Sequence, residues 1–358
     1  MEQESKAPEI ILLVGRLVGG GTEAHAGWLA NALQQAGVPT VLYPLFPKHT
    51  ITGLKQETSE MLMLGSAYRR FINKARSGHP EAVICFGRVA NSLGHRLVRD
   101  LPGIRLLATC RTNRRLSKSY RETLSIANHV LVNSNWAADR VRQLPEWDSK
   151  TPVVIPNALL RPDLLALEQN EPDRNRARLQ LGLKADGNVL CMLANFLRGK
   201  NQEALIRMLA AGGFHRKTQL IFVGEGPLQR SCRRLARHLG VAESVRFTGR
   251  VEGVEQIFQA SDLIVSTSLR DSMPNALVEA QAAGLPVVAY DVAGVGESFL
   301  PDQSGLLVAA EDKIAFAEGV CQLVETPERY ARYSKASKEQ AGRRFNPDHV
   351  LAQYMSLI

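Results

Sequence analysis

Two carboxylates, Asp271 and Glu279, stand eight residues apart in the stretch SDLIVSTSLRDSMPNALVEAQAAGLPVVAYDVAGVGESFLPDQSG, residues 261–305. Asp271 falls in a polar turn that follows a short apolar run. It is either a turn residue or an acceptor for the hydroxyls of a sugar. Glu279 falls on the second turn of an expected helix. It either satisfies the field of that helix or accepts two ribose hydroxyls, the usual task of an acid at a nucleotide site. Arg198 and Lys200 follow the first apolar run of the second half, where their charges either hold a diphosphate or face solvent. Arg16, Arg88 and Arg111 pose the same choice in the first half.

The elements that must position these residues are legible from periodicity. Leu263 to Val265 reads as a strand, and a helix begins near Pro274, where a missing N–H costs nothing. Gly284 stops that helix, and Val287 to Ala289 forms the next strand. The loop Asp291 to Glu297 carries Gly294 and Gly296. Strand, polar turn and helix N-terminus together make a phosphate or nucleotide site at the carboxyl edge of a parallel sheet. In the first half, Ile10 to Val14 is a buried strand, followed by the glycine-rich loop Gly15 to Gly21. Thr22 is placed to cap a helix closed by Gly37. This loop lacks the G-x-G-x-x-G spacing of a dinucleotide fingerprint.

Further strands are expected at Val38 to Tyr43, Ala82 to Phe86, Ile104 to Thr109, Val130 to Val132 and Val153 to Ile155. In the second half they fall at Val189 to Ala194, Gln219 to Val223 and Ser244 to Thr248. A basic helix covers 61–78, Ser134 caps a helix near Trp136, and Leu160 to Arg176 reads as a linker. Helices are expected at 228–239, 254–260, Ala315 to Leu323, Pro327 to Gln340 and Pro347 to Leu357. Strands and helices alternate in both halves, so each half is a doubly wound parallel sheet.

Composition narrows the function. A length of 358 residues suits two domains, and 45 % apolar content is enough for two cores. Residues 1–165 hold 21 basic and 13 acidic side chains, and the remainder 23 and 22. The excess of positive charge in the first half either faces something anionic or serves solubility. The five cysteines lack metal-ligand spacing and read as thiols in a reducing compartment. No window approaches the ~18 apolar residues of a membrane span, and no signal peptide is seen. No zinc spacing, Walker sequence or G-x-S-x-G elbow occurs, so no metal site is expected.

The order DLIVSTSLRDSMPNALVEAQAAGLPVVAYDVAGVGE resembles the donor-site signature of family 4 glycosyltransferases. The hallmark of that family is an acid, seven residues and a glutamate. Asp271 and Glu279 match it, with aspartate in place of the usual first glutamate. Four other passages are similar to the family: Gly19 to Glu23, Ala194 to Asn201, Gly224 to Pro227 with Phe247 to Gly249, and Val154 to Asn157. The resemblance implies a GT-B fold, two Rossmann-like doubly wound domains facing a cleft. It places an acceptor domain at 1–165, a donor domain at 166–344, and a helix at 345–358 returning to the first.

The resemblance also implies a metal-independent, retaining transfer from a nucleotide sugar, UDP-linked by preference, moving a hexose or N-acetylhexosamine. Glu279 would hold the ribose, Asp271 the hydroxyls of the transferred sugar, and Lys200 the diphosphate. Gly20 and Gly21 would approach the diphosphate, with backbone groups of Gly224 and of Met273, Pro274, Asn275, Ala276 and Leu277 completing the donor site. Glu297 lies in the last donor-site loop. The chain departs from the pattern at Asn195, where the family has a phosphate-binding arginine that Arg198 would replace. It departs again at Arg111, where the family has a histidine; a guanidinium cannot shuttle protons but can bind an anion.

Because basic residues gather at Arg69 to Arg76 and Arg111 to Arg121, the expected acceptor is an anionic or lipid-linked glycan of a bacterial envelope, such as lipopolysaccharide core. That places the protein in the cytoplasm, in peripheral contact with the anionic inner face of the cytoplasmic membrane. The alternatives are a small soluble metabolite as acceptor, an epimerase acting on nucleotide sugars, or a non-catalytic nucleotide- or nucleic-acid-binding protein. Nucleic acid is not the expected partner, because aromatics are only 6 % of the chain and stacking platforms need them.

Overall fold

The computed structural model describes residues 9–17, 20–46, 56–145, 147 and 150–358. Val18 and Gly19 of the expected glycine loop lie outside the described residues. The described residues form two compact units, one running up to Leu160 and including Asp348–Ile358, the other covering Arg161–Pro347. The boundaries thus lie at Leu160 and Pro347, a few residues from the expected ones.

The first unit is a six-stranded parallel sheet of β1 (Ile10–Val14), β2 (Thr40–Pro44), β3 (Ala82–Phe86), β4 (Arg105–Cys110), β5 (His129–Val132) and β6 (Val153–Val154). Its spatial order is β2-β1-β3-β4-β5-β6. Strands buried on both faces are uniformly apolar, and their alternate side chains serve two cores. Ile11 and Leu13 of β1 meet Phe71, Leu93, Tyr120 and Leu124 on one face. Ile10, Leu12 and Val14 meet Leu29, Leu33, Val350 and Tyr354 on the other. The last two belong to the final helix, Pro347–Met355, which therefore completes the first sheet's second face.

The second unit repeats the plan with β7 (Val189–Leu193), β8 (Gln219–Val223), β9 (Val245–Gly249), β10 (Leu263–Ser266), β11 (Val287–Asp291) and β12 (Gly305–Ala309). All are parallel, in the order β12-β11-β10-β7-β8-β9. Each sheet has one point where the chain's progress across it reverses. It lies between β1 and β3 in the first and between β7 and β10 in the second. Loops leaving neighbouring strands in opposite directions open a crevice there.

Three local expectations change. The charged stretch 160–176 is not an open linker: it contains the 3₁₀ turn Pro162–Ala166 and the start of the helix Glu171–Gln180. Asn170 caps that helix by accepting from the Asp173 amide, and Leu164 is buried within the second unit. Thr22 is not a cap; Gly20 precedes the helix Gly21–Gln35, with no side-chain cap. Pro274 is the residue before the helix Asn275–Ala282 rather than its first turn. Ser134 caps as expected, accepting from the Ala137 amide. Gly284 ends the helix Asn275–Ala282 at φ 81°, a left-handed conformation that glycine adopts without a Cβ penalty.

Candidate functional site

The reversal point of the second sheet brings together the loops after β7 and β10. Leu197 to Lys200 turns tightly, with the Lys200 amide donating to the Leu197 carbonyl at 2.8 Å. Asn201 follows in the left-handed region at φ 55° and opens the helix Gln202–Ala210. This turn is stitched to the β10 loop by the Leu269 amide on the Gly199 carbonyl at 2.8 Å and by Thr267 Oγ1 on the Asn201 carbonyl at 2.9 Å. Across the junction Lys200 Nζ meets both carboxylate oxygens of Asp271, at 2.7 and 2.6 Å. The pair lines a small recess with Ser266, Ser268, Pro274, Ala276 and Leu277. A cation, a carboxylate, two hydroxyl side chains and a helix start thus converge at one sheet edge, an arrangement suited to a polar anionic ligand.

Glu279 lies one turn into that helix. Burial pushes its carboxyl up to about 7, against a smaller opposing pull from the charge of Arg161. Arg161 is itself engaged by Asp163 and Glu255. Among the described residues no hydrogen-bond donor is seen on the Glu279 carboxylate.

The neighbouring loop explains Gly224. At φ 130°, a Cβ there would meet the Ala194 carbonyl oxygen at 2.5 Å. The Phe196 amide donates to the Glu225 carbonyl at 2.8 Å and the Gly224 amide to the Gly249 carbonyl at 2.8 Å. The β7, β8 and β9 loops are thereby laced together.

The remaining expected donor residues are placed differently. Asn195 and Arg198 have exposed side chains outside the recess lining, although Arg198 shares its 3₁₀ turn with Lys200. Met273 is buried, and Asn275 opens the helix.

The first unit has its own crevice at the reversal between β1 and β3, a cavity of about 520 Å³. Gly15, Arg16, Gly20, Gly21 and Glu23 line one side, and Gly87, Arg88, Arg111, Thr112 and Arg114 another. Gly20 and Gly21 therefore lie beside four arginines. Gly20 also makes room for its neighbour, since a Cβ there would come within 2.3 Å of Glu23 Oε2. Burial raises the Glu23 carboxyl above its ordinary value.

Arg111 is held by Asn157 Oδ1 and by Tyr354 Oη, the latter at 3.4 Å. Burial lowers its guanidinium from the ordinary range. Arg140 donates to the carbonyls of Thr112 and Arg114 and so fixes the loop that carries two of the four arginines. Arg140 and Tyr354 carried no sequence signal for this task, and Asn157 stood out only as the end of the passage Val154 to Asn157. Tyr354 is 243 residues from Arg111, beyond any motif.

Among the described residues no group of three His, Cys, Asp or Glu could hold a metal ion, and no helix is long and apolar enough to cross a membrane. Cys85, Cys110, Cys191 and Cys232 are buried free thiols, and Cys321 is free and partly buried.

Residues 173–340 match the family described as "Glycosyl transferases group 1". The chain is 23 % identical over 185 residues to the N-acetyl-alpha-D-glucosaminyl L-malate synthase of Bacillus anthracis, covering 52 % of this chain and 49 % of that protein. It is 32 % identical over 183 residues to D-inositol 3-phosphate glycosyltransferase 2 of Catenulispora acidiphila, covering 48 % and 43 %. It is 27 % identical over 182 residues to the lipopolysaccharide core biosynthesis glycosyltransferase LpsD of Rhizobium meliloti, covering 51 % and 52 %. The chain thus spans about half the length of the curated relatives it matches. In structure it is similar to Anabaena Alr3699/HepE in complex with UDP-glucose, with a TM-score of 0.80 at 19 % identity over 98 % of this chain and 100 % of that one. The fold, two Rossmann-like parallel-sheet units, is the GT-B fold, and the stretch that matches the glycosyl transferases group 1 family lies within the second unit.

Proposed function

We propose that this protein transfers a glycosyl group from a UDP-sugar to a hydroxyl of a small, soluble, anionic acceptor, with retention at the anomeric carbon. The observation that carries the reading is the pairing of Lys200 with Asp271 at the second sheet's reversal point, inside the family-matched region. In the reaction, the bond from the anomeric carbon to the β-phosphate oxygen breaks as the bond to the acceptor oxygen forms on the same face. The leaving phosphate oxygen takes the acceptor's proton. Lys200 and the start of the helix Asn275–Ala282 offset the negative charge that develops on the diphosphate. Asp271 holds sugar hydroxyls and offsets the positive charge on the ring, and Glu279 receives the ribose hydroxyls.

The relatives favour the soluble acceptor over the envelope glycan. Two of the three compared carry malate or inositol 3-phosphate in their names, and both molecules are anions. The cavity with Arg16, Arg88, Arg111 and Arg114 suits such an acceptor, because guanidinium groups bind carboxylate and phosphate bidentately. An envelope acceptor, reached in peripheral contact with an anionic membrane, is the second reading. It draws on the lipopolysaccharide relative and on the exposed Arg69, Arg70 and Lys74.

The test is a thermal-shift panel of UDP-, GDP-, ADP- and CMP-sugars on the wild type and Glu279→Ala. The stabilising donor is then incubated with L-malate, D-inositol 3-phosphate or a lipopolysaccharide core acceptor. Stabilisation by a UDP-sugar, lost in the variant, and glycosylation of a small anion are expected. No stabilisation by any nucleotide sugar would overturn the donor assignment.

A further inference from the structure

The strand that delivers Arg111 is tied at both ends to the final helix segment. Arg105, the first residue of β4, donates to the Ile358 carbonyl, and Arg111, just past its end, donates from Nη1 to Tyr354 Oη at 3.4 Å. The other branch of Arg111, Nη2, donates to Asn157 Oδ1, which also accepts from Asn133 Nδ2 at 3.3 Å. Tyr354 is almost wholly buried in the core that covers the second face of the first sheet. Its hydroxyl lies 3.1 Å from Nε2 of His25, which is fully buried. Burial, reinforced by the charge of Arg111, holds His25 well below its ordinary range. The imidazole is therefore neutral, and the tyrosine hydroxyl can accept from Arg111 while donating to that ring.

A guanidinium has five N–H donors in a rigid plane. Two of them are spent on Tyr354 and Asn157, at opposite ends of the fork. That fixes the plane of Arg111 where it lines the cavity. We propose that Tyr354 is a positioning residue for anion recognition, locking Arg111 so that its remaining donors serve the acceptor's anionic group, and that the final helix is thereby part of the acceptor site. This rests on the acceptor reading given above. It assigns the final helix a task beyond packing.

The experiment measures the affinity of the full chain for inorganic phosphate by calorimetric titration, in the wild type, Arg111→Ala, Tyr354→Phe, Asn157→Ala and Val350→Ala. Tyr354→Phe keeps the ring and deletes the hydroxyl. It is expected to weaken the Arg111-dependent phosphate binding by roughly tenfold, the scale of one hydrogen bond to a charged group, with a fall in melting temperature from the unpaired His25 ring. Val350→Ala thins the same core and is expected to lower the melting temperature while leaving phosphate affinity within about twofold. Asn157→Ala carries the same expectation as Tyr354→Phe and serves if the latter does not fold. Wild-type phosphate affinity in either folded variant overturns the positioning role alone, provided Arg111→Ala has lost binding. Unchanged binding in Arg111→Ala overturns the acceptor reading, and the positioning role with it.

Discussion

Lys200 and Asp271 form a bidentate ion pair across the junction of β7 and β10, with both oxygens within 2.7 Å of Nζ. The two residues are 71 apart in sequence and are brought together by the pairing of β7 with β10 and by the hydrogen bonds that join their loops. Under the proposed function Asp271 occupies the cation assigned to the diphosphate, so the donor's anion and Asp271 would compete for one ammonium group.

Asp271→Asn is therefore expected to tighten UDP binding by about three- to tenfold, since a charged competitor is lost. The same change is expected to slow sugar transfer by about 10²-fold. Lys200→Ala is expected to reduce both affinity and transfer. Calorimetric titration with UDP, paired with initial rates, separates these outcomes. Weaker UDP binding in Asp271→Asn would show that the pair cooperates on the ligand instead of competing.

Glu279 gives a pH signature with a definite sign. Its carboxyl is raised to about 7 by burial, against an unfolded value near 4.5. Between these values the native state holds the proton that the unfolded state has released. Stability from this group is thus fully present below the unfolded value and is lost as pH rises through about 7. Glu279→Gln removes that loss, so its melting temperature relative to the wild type should rise between pH 5 and pH 8. A difference independent of pH would show that Glu279 is not the buried titrating group.

Much of the fold was legible because buried parallel strands are uniform apolar runs. Ala82–Phe86 and Gln219–Val223 match the sequence expectation residue for residue. The helix Gly87–Asp100 was not, because it starts without a connecting loop where Gly87 turns at φ 77°. Nor was β12, a short Gly305–Ala309 edge strand following a polar turn. Within the site, the family resemblance singled out Lys200, Asp271 and Glu279, but no local pattern encodes that the first two pair with each other. Arg198, read as the replacement for a missing arginine, stands with an exposed side chain on the 3₁₀ turn that it shares with Lys200.

Gly224 should tolerate no side chain. Gly224→Ala places a Cβ at 2.5 Å from the Ala194 carbonyl, at a φ of 130° that L-residues rarely adopt. The β7 loop must then shift, carrying the turn that holds Lys200. A loss of UDP affinity of about tenfold or more is expected, with a modest fall in melting temperature. Wild-type affinity in Gly224→Ala would show that the two loops move independently.

The stability of the second unit should depend on a buried carboxylate remote from the ligand. Asp262 Oδ2 accepts from Arg178 Nη2 at 2.5 Å and from the Val189 amide at 2.7 Å, while its other oxygen meets Arg174 at 3.2 Å. Arg178 also donates to the carbonyls of Ala260, Ala185 and Gly187. Desolvation lowers its guanidinium from the ordinary range despite the attraction of Asp262. This cluster pins the helix Glu171–Gln180 to the starts of β7 and β10, the two strands whose far ends carry Lys200 and Asp271. Removing the carboxylate leaves a buried guanidinium uncompensated, which costs about 3–5 kcal/mol. Asp262→Ala should therefore lower the urea midpoint of the second unit sharply, while Asp163→Ala, in an exposed pair, should cost about 0–1 kcal/mol. Equal, small effects from both would mean that water or a rearranged partner compensates Arg178 in the variant.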